Sequence, residues 1–136
     1  GPPPSTNLFN EKNNGLSILD IISKNLANSI HDISAGGLLV CLSEMCMSTK
    51  IGAKIKMPRN NIDKYNYLFG EDQSRYIIEV KKENLNMVKN ILEKNNVFFE
   101  NIGVTQKENL EMENEFKMNI DDLYKSYTSW FKNYFK

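Results

Sequence analysis

The sequence predicts an α/β sandwich: one mixed β-sheet of about five short strands with helices packed mainly on one face. Three observations lead there. Apolar residues recur at helical spacing in several separate stretches. Between them lie short runs rich in β-branched and aromatic residues, bounded by glycine, asparagine and proline. No apolar run approaches the roughly 20 residues that span a membrane. The 136 residues are enough for a single domain with a real core, read as a lead-in over 1–14 and a globular core over 15–136.

Taken in order, Gly1-Pro2-Pro3-Pro4 is a stiff, extended lead-in, because each proline fixes its own φ and disfavours helix before it. Ser5 or Thr6 is placed to cap a short helical turn running to Asn14. A firmer helix is predicted from Leu16 to Asn28, burying Leu19, Ile22 and Leu26, with Ile18 and Ile21 widening the stripe. Ile30 to Ile33 reads as a strand, Gly36-Gly37 as a turn, and Leu38 to Ser48 as a helix with Leu38, Leu42, Met45 and Cys46 on one face. Gly52 ends that helix, and Ala53 to Met57 follows as a strand. Pro58 to Asn61 is a turn, and Ile62 to Leu68 a short helix. Arg75 to Val80 is a strand apolar on both sides, which suggests a central position. Asn84 is the expected cap of a helix with the face Leu85, Val88, Ile91 and Leu92. Val97 to Thr105 and Leu110 to Met118 are expected to form a hairpin. Asn119 caps the last helix, whose first turn carries Asp121 and Asp122 as the helix dipole favours. Its aromatic residues Tyr124, Tyr127, Trp130, Phe131 and Tyr134 read first as a core stripe, and otherwise as a surface for a neighbouring domain.

Composition narrows the function. Lys+Arg and Asp+Glu both number 17, and their even scatter argues against a nucleic-acid surface. Neither a membrane partner nor a signal peptide is indicated, and a cytoplasmic location is expected. Cys41 and Cys46 point in different directions on one helix and read as buried, reduced cysteines. With one histidine and no Cys-x-x-Cys, no metal site is assigned.

Two stretches carry chemistry. In Ile30 to Glu44, a strand runs through Asp32 and Ser34 into Gly36-Gly37 and then a helix. Such a turn lets the backbone bend sharply, and the free N–H groups of a helix start can hold an anion. The alternative is a tight connection and nothing more. The second stretch is Gly70-Glu71-Asp72-Gln73-Ser74-Arg75. Glu71 and Asp72 suit a cation, while Gln73, Ser74 and Arg75 suit an oxyanion; the alternative is a solvated turn with local ion pairs. His31 has no reacting partner in view and reads as bonded to a nearby backbone group, so no catalytic residue is assigned.

These stretches resemble the C-terminal domain of the aminoimidazole-ribonucleotide-synthase superfamily, and within it phosphoribosylformylglycinamidine synthase. The resemblance rests on His31-Asp32-Ile33-Ser34-Ala35-Gly36-Gly37-Leu38 with Ser43-Glu44-Met45, and on Leu68-Phe69-Gly70-Glu71-Asp72-Gln73-Ser74-Arg75. Gly1-Pro2-Pro3, Ile51-Gly52-Ala53 and Ile102-Gly103-Val104-Thr105 also fit, so it covers essentially the whole chain. It implies the last domain of a longer synthetase that makes an amidine from formylglycinamide ribonucleotide in purine synthesis. The reaction implied uses ATP, magnesium and ammonia from glutamine; the amide oxygen is activated as a phosphate ester and displaced. The resemblance also implies that ATP and magnesium are held mainly by other domains. This domain alone would then hold no cofactor and not catalyse. Its partners would be the other domains of the same chain, a glutaminase subunit or domain and a small accessory subunit. Ser34, Gly36, Gly37, Glu71, Gln73, Ser74 and Arg75 would face a cleft, binding phosphate or holding an interdomain contact. Glu71 would orient Arg75 or the glycine turn. Ala35 departs from the family's usual acidic residue, which suits the half of the enzyme that is not the main catalytic one. The alternative is a free-standing phosphate-binding or interaction module of the same fold.

Overall fold

A computed structural model describes residues 5–57 and 62–134. The expected lead-in prolines and the Pro58 to Asn61 turn lie outside these. In chain order the elements are α1 (Leu8–Ser23), β1 (Ser29–Ile33), α2 (Gly37–Thr49), β2 (Gly52–Ile55), α3 (Lys64–Phe69), β3 (Arg75–Glu79), α4 (Leu85–Lys94), β4 (Gly103–Gln106), β5 (Asn109–Met112), β6 (Phe116–Asn119) and α5 (Ile120–Tyr134). The α/β class is as expected. The strands form two ladders, one of two strands and one of four, where one sheet was expected. The chain divides into two compact units: Gly1–Cys41 with Phe69–Glu100, and Leu42–Leu68 with Asn101–Lys136.

The first unit is built on α1, α4 and the antiparallel pair β1–β3, which runs in register from Ser29 opposite Glu79 to Ile33 opposite Arg75. Its core is Ile21, Leu26, Val88 and Leu92, with Ile30, Ile78, Ile91 and Val97 packed around them. Burying each such aliphatic side chain stabilises the fold by about 1.5–3 kcal/mol. Both helices end alike. The chain turns at Asn25 (φ 53°) and Asn96 (φ 53°). The next N–H, of Leu26 or Val97, returns to the carbonyl five residues back, of Ile21 or Leu92. This closure satisfies orphan carbonyls and folds an apolar residue back onto the core.

Several expectations fail in this unit. The first helix is continuous rather than broken before Leu16. Asn7, not Ser5 or Thr6, caps it, with Oδ1 accepting from the N–H groups of Phe9 and Asn10 at 3.1 Å. Its buried residues are Ser17 and Ile21, while Leu19 and Ile22 are 62% and 55% exposed. Ser17 tolerates full burial because its hydroxyl donates to the Asn13 carbonyl and accepts from Asn95. Nor is β3 a central strand: among the described residues it pairs only with β1. Finally, Asn84 is itself helical and makes no side-chain cap; its amide donates to the Leu26 carbonyl instead.

In the second unit the strand order is β4-β2-β5-β6, with β2–β4 and β5–β6 antiparallel and β2–β5 parallel. Ala53, Ile55, Leu110, Met112 and Ile120 are buried. The hairpin expected between the two late strands is absent, because β2 lies between β4 and β5. The hairpin is instead β5–β6: the run read as one strand reverses at Glu113–Glu115, where Asn114 adopts φ 61°. Asparagine tolerates that left-handed backbone, which alternation alone does not reveal. Asn119 caps α5 as expected, accepting from the Asp121 and Asp122 N–H groups.

Candidate functional site

The β1–β3 ladder ends at the pair Ile33–Arg75. Antiparallel pairing therefore sets the C-terminal end of β1 beside the N-terminal end of β3. The two stretches singled out in the sequence, 35 residues apart between Gly36 and Glu71, meet at that end of the first unit.

The glycine turn follows β1 directly. Gly36 and Gly37 adopt φ 80° and 73°, a region costly for residues with a Cβ. The Gly37 N–H closes the turn on the Ser34 carbonyl at 3.1 Å. A Cβ on Gly37 would lie 2.6 Å from the Phe69 carbonyl carbon and 2.9 Å from the Gly70 oxygen. The second glycine is thus what lets the two stretches approach backbone to backbone.

Glu71 completes the junction, its Oε1 accepting the Gly36 N–H at 2.7 Å. A carboxylate on a backbone N–H is a charge-assisted bond, stronger than a neutral one. Of the two roles expected of Glu71, its carboxylate is found on the glycine turn. Arg75 Nη1 donates to the Gly70 carbonyl at 3.1 Å and stands 3.7 Å from Asp72 Oδ2. Glu71 and Asp72, read as suited to a cation, are therefore directed to a backbone N–H and a guanidinium. Among the described residues no group of three or more His, Cys, Asp or Glu side chains is arranged to hold a metal.

Gln73 and Ser74 turn toward α1. Gln73 Oε1 accepts from the Thr6 hydroxyl at 2.9 Å. Ser74, at φ 61°, receives two bonds from Asn14 Nδ2, at its carbonyl (2.8 Å) and its hydroxyl (3.1 Å). Sequence reasoning missed Thr6 and Asn14 as parts of this cluster. No spacing rule links them to a loop some 60 residues later, and Asn14 is one of several polar residues in the first half of α1, so nothing in the pattern set it apart. Ser34 contributes its carbonyl to the turn, and its side chain is exposed. His31 Nδ1 lies 2.6 Å from the Asp32 carbonyl, the backbone role expected of it. Cys41 and Cys46 are buried, and neither is in a disulfide.

Residues 4–113 match the family model described as AIR synthase related protein, C-terminal domain. The chain belongs to that family. Among curated relatives, it is 48% identical over 134 residues to the phosphoribosylformylglycinamidine synthase subunit PurL of Pelagibacter ubique, covering 98% of this chain and 18% of that protein. PurL of Bartonella quintana is 36% identical over the same share. The chain therefore spans about a fifth of the length of the curated relatives it matches. Among solved structures, Thermotoga maritima PurL complexed with FGAR superimposes with a TM-score of 0.77 over 89% of this chain and 22% of that one, at 20% identity. The same protein complexed with ATP gives 0.73 over 85% of this chain and 22% of that one, at 21% identity. These likenesses establish the AIR synthase C-terminal fold. The family model ends at residue 113, so β6 and α5 lie beyond it, yet the match to the Pelagibacter protein includes them.

Proposed function

We propose that this chain is the C-terminal domain of a PurL-type synthetase, which converts formylglycinamide ribonucleotide to its amidine in purine biosynthesis. The observation that carries the reading is the 48% identity to PurL across 98% of the chain. It is supported by both motifs, which the fold brings together at one end of the β1–β3 ladder. The parent reaction forms a carbon–nitrogen bond with ammonia from glutamine, driven by ATP with magnesium, in the cytoplasm. The partners are the other domains of the same polypeptide, a glutaminase and a small accessory subunit. The domain alone is inactive.

Within that protein, the cluster of Ser34, Gly36, Gly37, Glu71, Gln73, Ser74 and Arg75 serves chiefly to brace a cleft wall or interdomain contact. The residues do not fit a polyphosphate as they stand. The two N–H groups of the glycine turn already donate to Glu71 and to the Ser34 carbonyl, and a carboxylate occupies the place an anion would take. For that reason no reaction step is assigned to them.

The test is complementation of a purine-requiring strain lacking its synthetase by the full-length gene. Growth without added purine is expected, and failure of a well-expressed protein would reject the reading. Calorimetric titration of the 136-residue chain with ATP–magnesium, ADP–magnesium and formylglycinamide ribonucleotide addresses the cluster. No binding heat is expected; micromolar binding abolished by Arg75→Ala would make it a ligand site instead. In the full-length enzyme, Arg75→Ala should lower thermal stability or activity, and no change in either would remove both roles.

A further inference from the structure

The last helix, α5, is amphipathic in a way its own unit does not use. At about 100° per residue, Ile120, Leu123, Tyr124, Tyr127, Trp130, Phe131 and Tyr134 share one arc of roughly 120°. The opposite arc carries Asp121, Asp122, Lys125, Ser129 and Lys132. Burial along the apolar arc is graded. Ile120 is buried at 3% and Leu123 is half-buried, but Tyr127, Trp130 and Tyr134 are 58%, 62% and 77% exposed. The first turn is buried in the second unit, and the aromatic face beyond it is about half or more exposed to solvent.

That face is too large to be incidental. Five aromatic side chains about half or more exposed present on the order of 600 Å², against the few hundred Å² that a monomer's apolar patches usually reach. It also approaches the ~800 Å² that one side of a stable protein interface buries.

We propose that the aromatic face of α5 docks onto the remainder of the synthetase polypeptide, as an interface within one chain. The proposal rests on the PurL reading above, and two facts select this occupant. The helix lies outside the residues common to the AIR synthase C-terminal family, 4–113, but inside the stretch shared with PurL of Pelagibacter ubique. Most of such a relative, about four-fifths of its length, lies outside the part this chain matches and is available as the other side. Tyrosine and tryptophan suit such a contact, with a large apolar body and a polar tip that finds a partner at the rim.

The experiment is hydroxyl-radical footprinting of the full-length synthetase, native and urea-unfolded, read at Tyr127 and Trp130. Roughly fivefold or greater protection in the native protein, unchanged on dilution, is expected for side chains in an interface core. Trp130→Glu should lower the melting temperature of the full-length protein, and Ser129→Glu on the polar arc should not. Equal labelling of native and unfolded protein would overturn the proposal. Protection that vanishes on dilution, with the sedimenting mass halved, would assign the face to a second copy and overturn it equally. Synthetase activity of the same preparation separates the two readings. An active enzyme with unprotected Trp130 defeats only the interface, and an inactive one with protected Trp130 defeats only the function.

Discussion

Gly37→Ala is the sharpest perturbation of the site, because two independent costs fall on one methyl group. The first is conformational. Gly37 sits at φ 73°, where an L-residue with a Cβ is disfavoured by about 1–2 kcal/mol. The second is steric. The added carbon would stand 2.6 and 2.7 Å from the Phe69 C and Cα atoms and 2.9 Å from the Gly70 oxygen. All three are backbone atoms, so no side chain can rotate away. Forcing one methyl into a packed site costs about 1–3 kcal/mol when the backbone must move. Together the substitution should destabilise the first unit by about 2–5 kcal/mol, a shift of roughly 1–2.5 M in urea midpoint for an m-value of about 2 kcal/mol/M.

The assay is urea denaturation of the purified chain followed by far-ultraviolet circular dichroism, with Gly15→Ala as the control. Gly15 lies inside α1 and a Cβ there meets nothing within 4 Å. Alanine at that position should therefore stabilise by about 0.5–1 kcal/mol, through helix propensity. Two glycines given the same substitution should thus move the midpoint in opposite directions. A Gly37→Ala loss below about 1 kcal/mol, within the cost of positive φ alone, would refute the close approach of the two stretches.

Other outcomes follow from the same contacts. Asn14→Ala removes both bonds to Ser74 and should cost about 1–2 kcal/mol, with faster amide exchange at Ser74 and Arg75 than in the parent chain. Glu71→Ala frees the Gly36 N–H, but at an exposed position water can replace the carboxylate, so a loss of only about 0.5–1.5 kcal/mol is expected in the same denaturation assay. The in-register pair Lys54–Glu111, at 3.1 Å across β2 and β5, should act within a defined pH window. The hydrogen bond from Lys54 holds the Glu111 carboxyl below its ordinary 4.5, so that its contribution is complete above 4.5 and lost as pH falls through the lowered value. The bond to Glu111 raises Lys54 above 10.5, so that its contribution is complete below 10.5 and lost as pH rises through the raised value. The stability difference between parent chain and Glu111→Gln should therefore be flat between these limits and shrink outside them, and a difference that persists unchanged into strong acid would refute the pair.

The site was legible to the extent that its chemistry is local. A Gly-Gly pair between an extended run and a helical one specifies a strand, a turn and a helix start, and all three are found. Glu71 and Arg75 were identified by residue type alone. Their partners were not legible, because partners depend on which strand ends lie side by side. The pairing of Ile33 with Arg75 brings Gly36 to Glu71, and no periodicity encodes that pairing. The late strands failed for a related reason. Strand alternation fixes which side chains share a face but not which strand is the neighbour, so β2 could insert between β4 and β5 without changing the pattern of either.

The helices show a further limit on what a pattern states. Both α1 and α5 carry apolar stripes that were read as core, and in both the stripe is substantially exposed. In α1, the residues that reach the core are Ile21 and a satisfied serine, while Leu16, Leu19 and Ile22 stay open. In α5 the polarity boundary is sharp enough to define a face, yet only its first turn is buried. Amphipathicity records that a face is to be removed from water; it does not record by what. A domain that folds alone must cover such faces with its own residues. One that spans about a fifth of its relatives' length can leave them to the rest of the protein. The uncovered face of α5 is therefore what the interface proposed above would cover, and its exposure is an observation independent of the sequence identity.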